Sequence, residues 1–308
     1  MGGSAACLDP LNPQSWLTMV ETRPSQTPDT TVRQFWIAFA ALILAFAPTL
    51  WDLGVDWWTD SNYSHGFLVP VISGYLIWKK RERLMALMNS PERTVGWAGT
   101  ATLTIAALWF ALGSGAAEYF TARVAFVLAV AGVTMSVCGK GVFRAIWFEI
   151  AFLLFMIPIP YVIYYALTTP LQLFATKLSM VALSVVGVPA VQEGNVIHLE
   201  GISLEVAEAC SGIRSMISLA ALGALWAWSV SARPVGKAIL FLATVPIAIA
   251  TNVFRVFMTA LLAYASDVAV TEEPTHSIMG MSVFVVAFIL FFAFAGVTRG
   301  LFSERRPS

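Results

Sequence analysis

The chain has 308 residues, of which 58% are hydrophobic and 12% charged, and its mean hydropathy is +0.77, so a bilayer rather than water is the solvent it is written for. A formal net charge of zero offers no global basic field for nucleic acid. Three cysteines, Cys7, Cys138 and Cys210, are too few and too scattered for a disulfide framework or a zinc site, so each is judged alone and no metal or cofactor is expected.

Residues 1–32 read as a polar cytoplasmic tail. They lack the basic start, apolar run and small-residue cleavage site of a signal peptide, which makes the first hydrophobic segment both address and anchor. A spanning helix needs roughly 20 mostly apolar residues. The stretches 34–51, 95–113, 120–138, 143–158, 210–230, 236–258 and 276–297 meet or approach that length, and 65–78 is a shorter eighth, ending in Trp78 followed by the basic run KKRER. Residues 33–298 therefore form one membrane domain, with 299–308 as a second cytoplasmic tail.

The segment 159–187 is apolar enough for a ninth span but carries Pro160 and Pro170, and Thr168, Gln172 and Thr176 share one helical face. A helix lying in the interface wets that stripe and buries the other face, and this is the expectation. Charge placement agrees. With eight spans and both termini inside, 14 of the 18 basic residues are cytoplasmic, and only Arg123, Lys177, Arg214 and Arg255 are outside. Between 188 and 209, VIHLEGISLEV alternates around Glu200–Gly201 and predicts an outer β-hairpin, with Ile197, Leu199, Ile202, Leu204 and Val206 on its apolar face. The expected fold is thus an all-α polytopic membrane protein of about eight transmembrane helices, an interfacial amphipathic helix and a short outer hairpin.

Three ionisable residues reach the same depth at the outer side. Cys210 opens the sixth span within EACSGIRS. Arg255 lies 18 residues after Lys237, roughly 27 Å at 1.5 Å per residue, and His276 opens the eighth span. A thiol at a helix start, with Arg214 one turn below, has a lowered pKa; an imidazole can shuttle its proton, and a guanidinium can stabilise an oxyanion. Taken singly, Cys210 also reads as a small packing residue, Arg255 as a snorkelling anchor and His276 as an interfacial polar residue. Cys138 and Cys7 read as structural or incidental, and Glu149 as an ion-pair partner of Lys140 or Arg144.

Several segments, in order and spacing, resemble the exosortase family, the bacterial branch of the exosortase and archaeosortase superfamily. They are YSHGFLVPVISGYLIWKKR, FEIAFLLFMIPIP, LTTPLQLFATKLSM, GNVIHL, EACSGIRS, NVFRV and THSIMGMSVF, covering roughly residues 60 to 297. The resemblance implies a multi-pass inner-membrane cysteine protease or transpeptidase with its site facing the periplasm. Its partners would be the lipid bilayer and membrane-anchored exported proteins bearing a C-terminal sorting signal, namely a motif such as Pro-Glu-Pro, a transmembrane helix and basic residues, in systems tied to exopolysaccharide and the envelope. It makes Cys210 the nucleophile, Arg255 the oxyanion or thiolate stabiliser and His276 the general acid/base. Tyr63, Ser64 and His65 belong to its first signature, and Glu208, Ser211, Arg214 and Asn252 are neighbouring candidates. Two other classes stay open: an envelope polysaccharide or lipid-carrier transporter, which would place ionisable groups near the midplane, and a noncatalytic scaffold. The sequence is silent on oligomeric state, acceptor and exosortase subtype.

Overall fold

A computed structural model describes residues 28–90, 94, 96–115, 119–206, 212–230, 232–265 and 275–302. In chain order the helices are α1 (Pro28–Ala45), α2 (Ala47–Thr59), α3 (Leu68–Lys79), α4 (Arg81–Asn89), α5 (Trp97–Gly115), α6 (Tyr119–Val133), α7 (Lys140–Phe152) and α8 (Tyr161–Val185). Three strands follow, β1 (Ala190–Glu193), β2 (Val196–Leu199) and β3 (Ile202–Glu205). The chain then forms α9 (Ile213–Ser229), α10 (Pro234–Leu242), α11 (Thr244–Ala265) and α12 (Thr275–Phe302). Tyr119–Cys138, Pro234–Ala265 and Gly280–Thr298 are individually long and apolar enough to cross a membrane. Counting each of two bent pairs as one span raises the number among the described residues to five. Every one of the eight expected segments contains helix, but α3, with 12 residues, rises only about 18 Å, well short of a hydrocarbon core of about 30 Å.

Proline sets the two bends. Pro48 sits in the first turn of α2 where no N–H is needed, and the chain turns by 69° between α1 and α2. Pro158 and Pro160 separate α7 and its 3-10 extension from α8, where the bend is 77°.

Around α6 the N-terminal half is built on small residues. Ala122, Ala125, Ala129, Ala131 and Gly132 are all buried, and α5 packs along α6 so closely that a Cβ on Gly132 would strike Leu103 and one on Gly99 would strike Ser136. Without a hydrophobic force between helices in lipid, such backbone approach is how they gain contact. The first core gathers Leu42, Phe46, Leu53, Phe126, Ile146 and Phe152 around this helix.

The sheet forms a second core with α8 and α11. Ile197, Leu199, Leu204 and Val206 are buried against Ala175 and Leu183 of α8 and Val256 and Ala260 of α11. The strands are antiparallel in the order β1-β2-β3, with Gly194 and Gly201 at positive φ in the two turns. The expected hairpin is therefore part of a three-stranded sheet whose first strand, AVQE, carries too little alternation to be seen. Ile202, beside the turn, is 42% exposed and does not join the apolar face. A third core joins Leu219 of α9, Ala248 of α11 and Ala287 and Phe291 of α12.

Two expectations are corrected. The polar stripe of α8 is not wetted: Thr168, Gln172 and Thr176, with Ser179, are buried, while Tyr161, Val162, Val181 and Val185 are exposed. The helix turns its polar face into the protein because the partners are there. Gln172 donates to the Val206 carbonyl at 3.2 Å and Ser179 to the Val253 carbonyl at 3.1 Å. Glu149, fully buried, pairs with Lys80 at 2.6 Å rather than with Lys140 or Arg144. The bend between α3 and α4 delivers that ammonium, which also donates to the Ala145 carbonyl at 2.8 Å and lies 5.5 Å from the Trp228 ring centre.

Removing one partner of a buried pair strands the other. Lys80→Met is expected to cost about 3–5 kcal/mol in thermal unfolding of the detergent-solubilised protein, and Lys80→Met/Glu149→Leu to regain most of it. Equal losses in the single and double variants would show that the pair carries no stability.

Candidate active site

Asn252 and Arg255 lie one turn apart on α11. Asn252 is buried, and a Cβ placed on Gly212 would come within 2.8 Å of its Cγ. Gly212, at φ +82, is the left-handed residue that starts α9, and its carbonyl accepts the Ser215 hydroxyl at 2.8 Å and the Met216 N–H at 2.8 Å. Only glycine meets both demands, a backbone conformation that L side chains resist and a contact with no room for a Cβ.

Arg255 is half-buried, and its guanidinium packs on α12: Nη2 lies 3.7 Å from where a Cβ of Gly280 would stand. Gly280 is one turn beyond His276 on the same helical face. His276 is in the first turn of α12, and its side chain lies outside what is described. Glu208, Cys210 and Ser211 fall in 207–211, outside the described residues.

The two ends of that segment are nevertheless fixed. Val206 donates its N–H to the Asn195 carbonyl at 2.9 Å, and its own carbonyl accepts from Gln172 at 3.2 Å and from the Asn195 amide at 3.3 Å. Gly212 is seated on Asn252. The two flanks, Val206 and Gly212, are thus held by α8 and α11 respectively. α9 begins at Ile213.

Arg214 is committed elsewhere. Its Nε donates to the Asn62 side-chain oxygen at 2.9 Å and its Nη2 to the Ser61 hydroxyl at 2.7 Å, two neutral acceptors in the linker before the first signature. Its observed job is to tie the start of α9 to residues 61–62. Asn62 and Ser61 were missed by the sequence reading, as was Gln172 in its anchoring role. A glutamine in the middle of an apolar helix was the available signal.

The first signature forms a 3-10 turn, Ser64–Phe67. Ser64 is exposed and donates to the Ser61 carbonyl at 3.1 Å. The Nε2 of His65 is buried with no partner among the described residues, and Gly66 admits no Cβ because the Trp57 ring lies against it. Tyr63 is buried, and that burial, with the charge of Asp60 adding to it, pushes its hydroxyl up to about 12. It borders a cavity of about 570 Å³, which is also lined by Asp52, Asp56 and Arg123; Arg123, 5% exposed, pairs with Asp56 at 2.7 Å. No group of metal-ligating side chains occurs among the described residues.

A family model described as transmembrane exosortase matches residues 57–293. No curated protein matches the chain, and no solved structure does.

Two outcomes follow from this geometry. Gly212→Ala is expected to lower the melting temperature far more than Gly280→Ala, whose new methyl meets the guanidinium only at ordinary contact distance; equal effects would mean that Asn252 does not seat Gly212. Tyr63 binds its proton more tightly folded than unfolded, so its contribution is complete below about pH 10 and is lost as pH rises toward 12. Alkaline melts of Tyr63→Phe should be flatter than those of the parent over that window.

Proposed function

The chain belongs to the transmembrane exosortase family, and from that premise we propose that it is a membrane-embedded cysteine protease or transpeptidase that cleaves C-terminal sorting signals of exported proteins. The reading places the reaction at the periplasmic face of the inner membrane, on substrates with a Pro-Glu-Pro-like motif, a transmembrane helix and basic residues, in a system linked to exopolysaccharide or envelope assembly. The observation that supports it most is the double contact of α11. Within one turn this helix holds Gly212, two residues after Cys210, and touches Gly280, one turn after His276. Three segments remote in sequence thereby come to one stretch of one helix.

In this mechanism the Cys210 thiolate attacks the carbonyl carbon of the scissile peptide. The electron pair moves onto oxygen, where the Arg255 guanidinium stabilises it. His276 takes the thiol proton and returns it to the leaving nitrogen as the C–N bond breaks and a thioester forms. Water or an amine then attacks the thioester carbonyl and releases the thiolate. Glu208, Ser211 and Asn252 stand as neighbours of this chemistry, and Tyr63, Ser64 and His65 as its support from the first signature.

A transporter is the second reading, and the pairing of the buried Arg123 with the partly exposed Asp56 beside a cavity is what favours it. The other deep charge, Glu149, is closed off by Lys80, as a structural pair would be.

Coexpression with a tagged sorting-signal reporter tests the proposal. Cys210→Ala and Cys210→Ser should abolish processing on a gel. Arg255→Ala should slow it about 10²–10³-fold, and His276→Ala about 10²–10⁴-fold with loss of one limb of the pH–rate profile. Parental processing by both Cys210 variants would end the enzymatic reading.

A further inference from the structure

The free edge of the sheet has the geometry of a peptide-binding rail. Among the described residues β3 pairs only with β2, through Leu199↔Ile202, His198↔Ser203, Ile197↔Leu204 and Val196↔Glu205. The two-residue turn Glu200–Gly201 makes its flanking pair, Leu199 and Ile202, a hydrogen-bonded one, and antiparallel pairs alternate from there. The phase is fixed independently at the other end, where the Val206 N–H reaches the Asn195 carbonyl at 2.9 Å. Ile202, Leu204 and Val206 therefore spend their backbone groups on β2. Ser203 and Glu205 point theirs outward, and both residues are exposed.

The sheet lies across two helices, with β1 packed on α8 and β3 on α11, the helix that also packs against α12 and carries Arg255. Leu204 and Val206 share one core with Val256, the residue after Arg255. Cys210 follows Glu205 by five residues, at most about 18 Å of chain.

Resting on the reading above, we propose that β3 binds the polypeptide substrate by strand addition, through the outward N–H and C=O groups of Ser203 and Glu205. The occupant is an extended peptide segment beside the scissile bond. Only an extended backbone matches two residues spaced by two on an edge, and a peptidase needs the scissile segment extended so that its carbonyl is accessible. Main-chain bonds would hold the segment whatever its side chains, leaving sequence choice to pockets on either side. The sheet's attachment to α8 and α11 makes the edge rigid before substrate arrives, which lowers the ordering cost of binding.

The test uses the full-length chain in lipid nanodiscs with the tagged Pro-Glu-Pro reporter. Proline removes an outward N–H without touching the β2 ladder, so Ser203→Pro and Glu205→Pro should each reduce processing at least tenfold, mainly through KM. Ser203→Ala and Glu205→Ala, which keep those N–H groups, should lose far less than their proline counterparts. Proline variants that process like their alanine counterparts, while Cys210→Ala is inactive, would overturn strand addition and leave the enzymatic reading standing. A fully active Cys210→Ala would bring down both. If the proline variants do not fold, single-residue hydrogen exchange on the Cys210→Ala protein decides. Saturating reporter should slow the Ser203 and Glu205 amides at least tenfold while leaving Ile202 and Leu204 unchanged, and unchanged exchange at 203 and 205 would overturn the proposal.

Discussion

A polar side chain on a lipid-facing helix has no water to turn to, and that constraint organises the C-terminal half of this molecule. On α8 it turns Thr168, Gln172, Thr176 and Ser179 inward; the Thr168 hydroxyl has no partner among the described residues and Thr176 donates back to the Gln172 carbonyl, which leaves two groups to reach other elements. Gln172 finds the Val206 carbonyl at the end of the sheet, and Ser179 finds the Val253 carbonyl on α11. Satisfying one helix's polar stripe thus clamps a sheet and a second helix to it. The segment that carries the cysteine leaves from one of those clamped points and returns to another at Asn252.

The same constraint explains where the sequence was legible and where it was not. Apolar length and the Trp78–KKRER boundary found the helical segments, because burial in lipid writes hydrophobicity directly into composition. The β2–β3 turn was visible because alternation and Glu200–Gly201 coincide, whereas β1 lacks both cues. The stripe on α8 was found, but its direction was not. Periodicity reports that one face is polar and says nothing of which neighbour will satisfy it. Glu149 shows the same limit, since its partner Lys80 lies 69 residues back and meets it only through the packing of α3 on α7. For the site, motif order identified the candidates. What the sequence did not show is that Gly212 and Gly280 both lie against α11, beside Asn252 and Arg255, because the absence of a side chain leaves no trace in periodicity.

Arg214 makes a contact that spacing does not announce. α9 begins at Ile213, after Gly212 turns the chain in the left-handed region. From the first turn of α9 the guanidinium reaches Asn62 and Ser61 and joins the linker of the first signature to the start of this helix. Two neutral dipoles hold it there at the cost of its mobility.

Arg255 faces a second helix rather than a linker. At the boundary of an apolar bundle a guanidinium normally costs free energy unless a partner or water covers it. Opposite it α12 presents a glycine, and Nη2 lies 3.7 Å from where that residue's Cβ would stand. A methyl there meets the guanidinium at ordinary contact distance, but a bulkier side chain at 280 would push it away from the first turn of α12, where helix N–H groups favour negative charge. A small residue at 280 therefore keeps the cation close to the positive end of that helix.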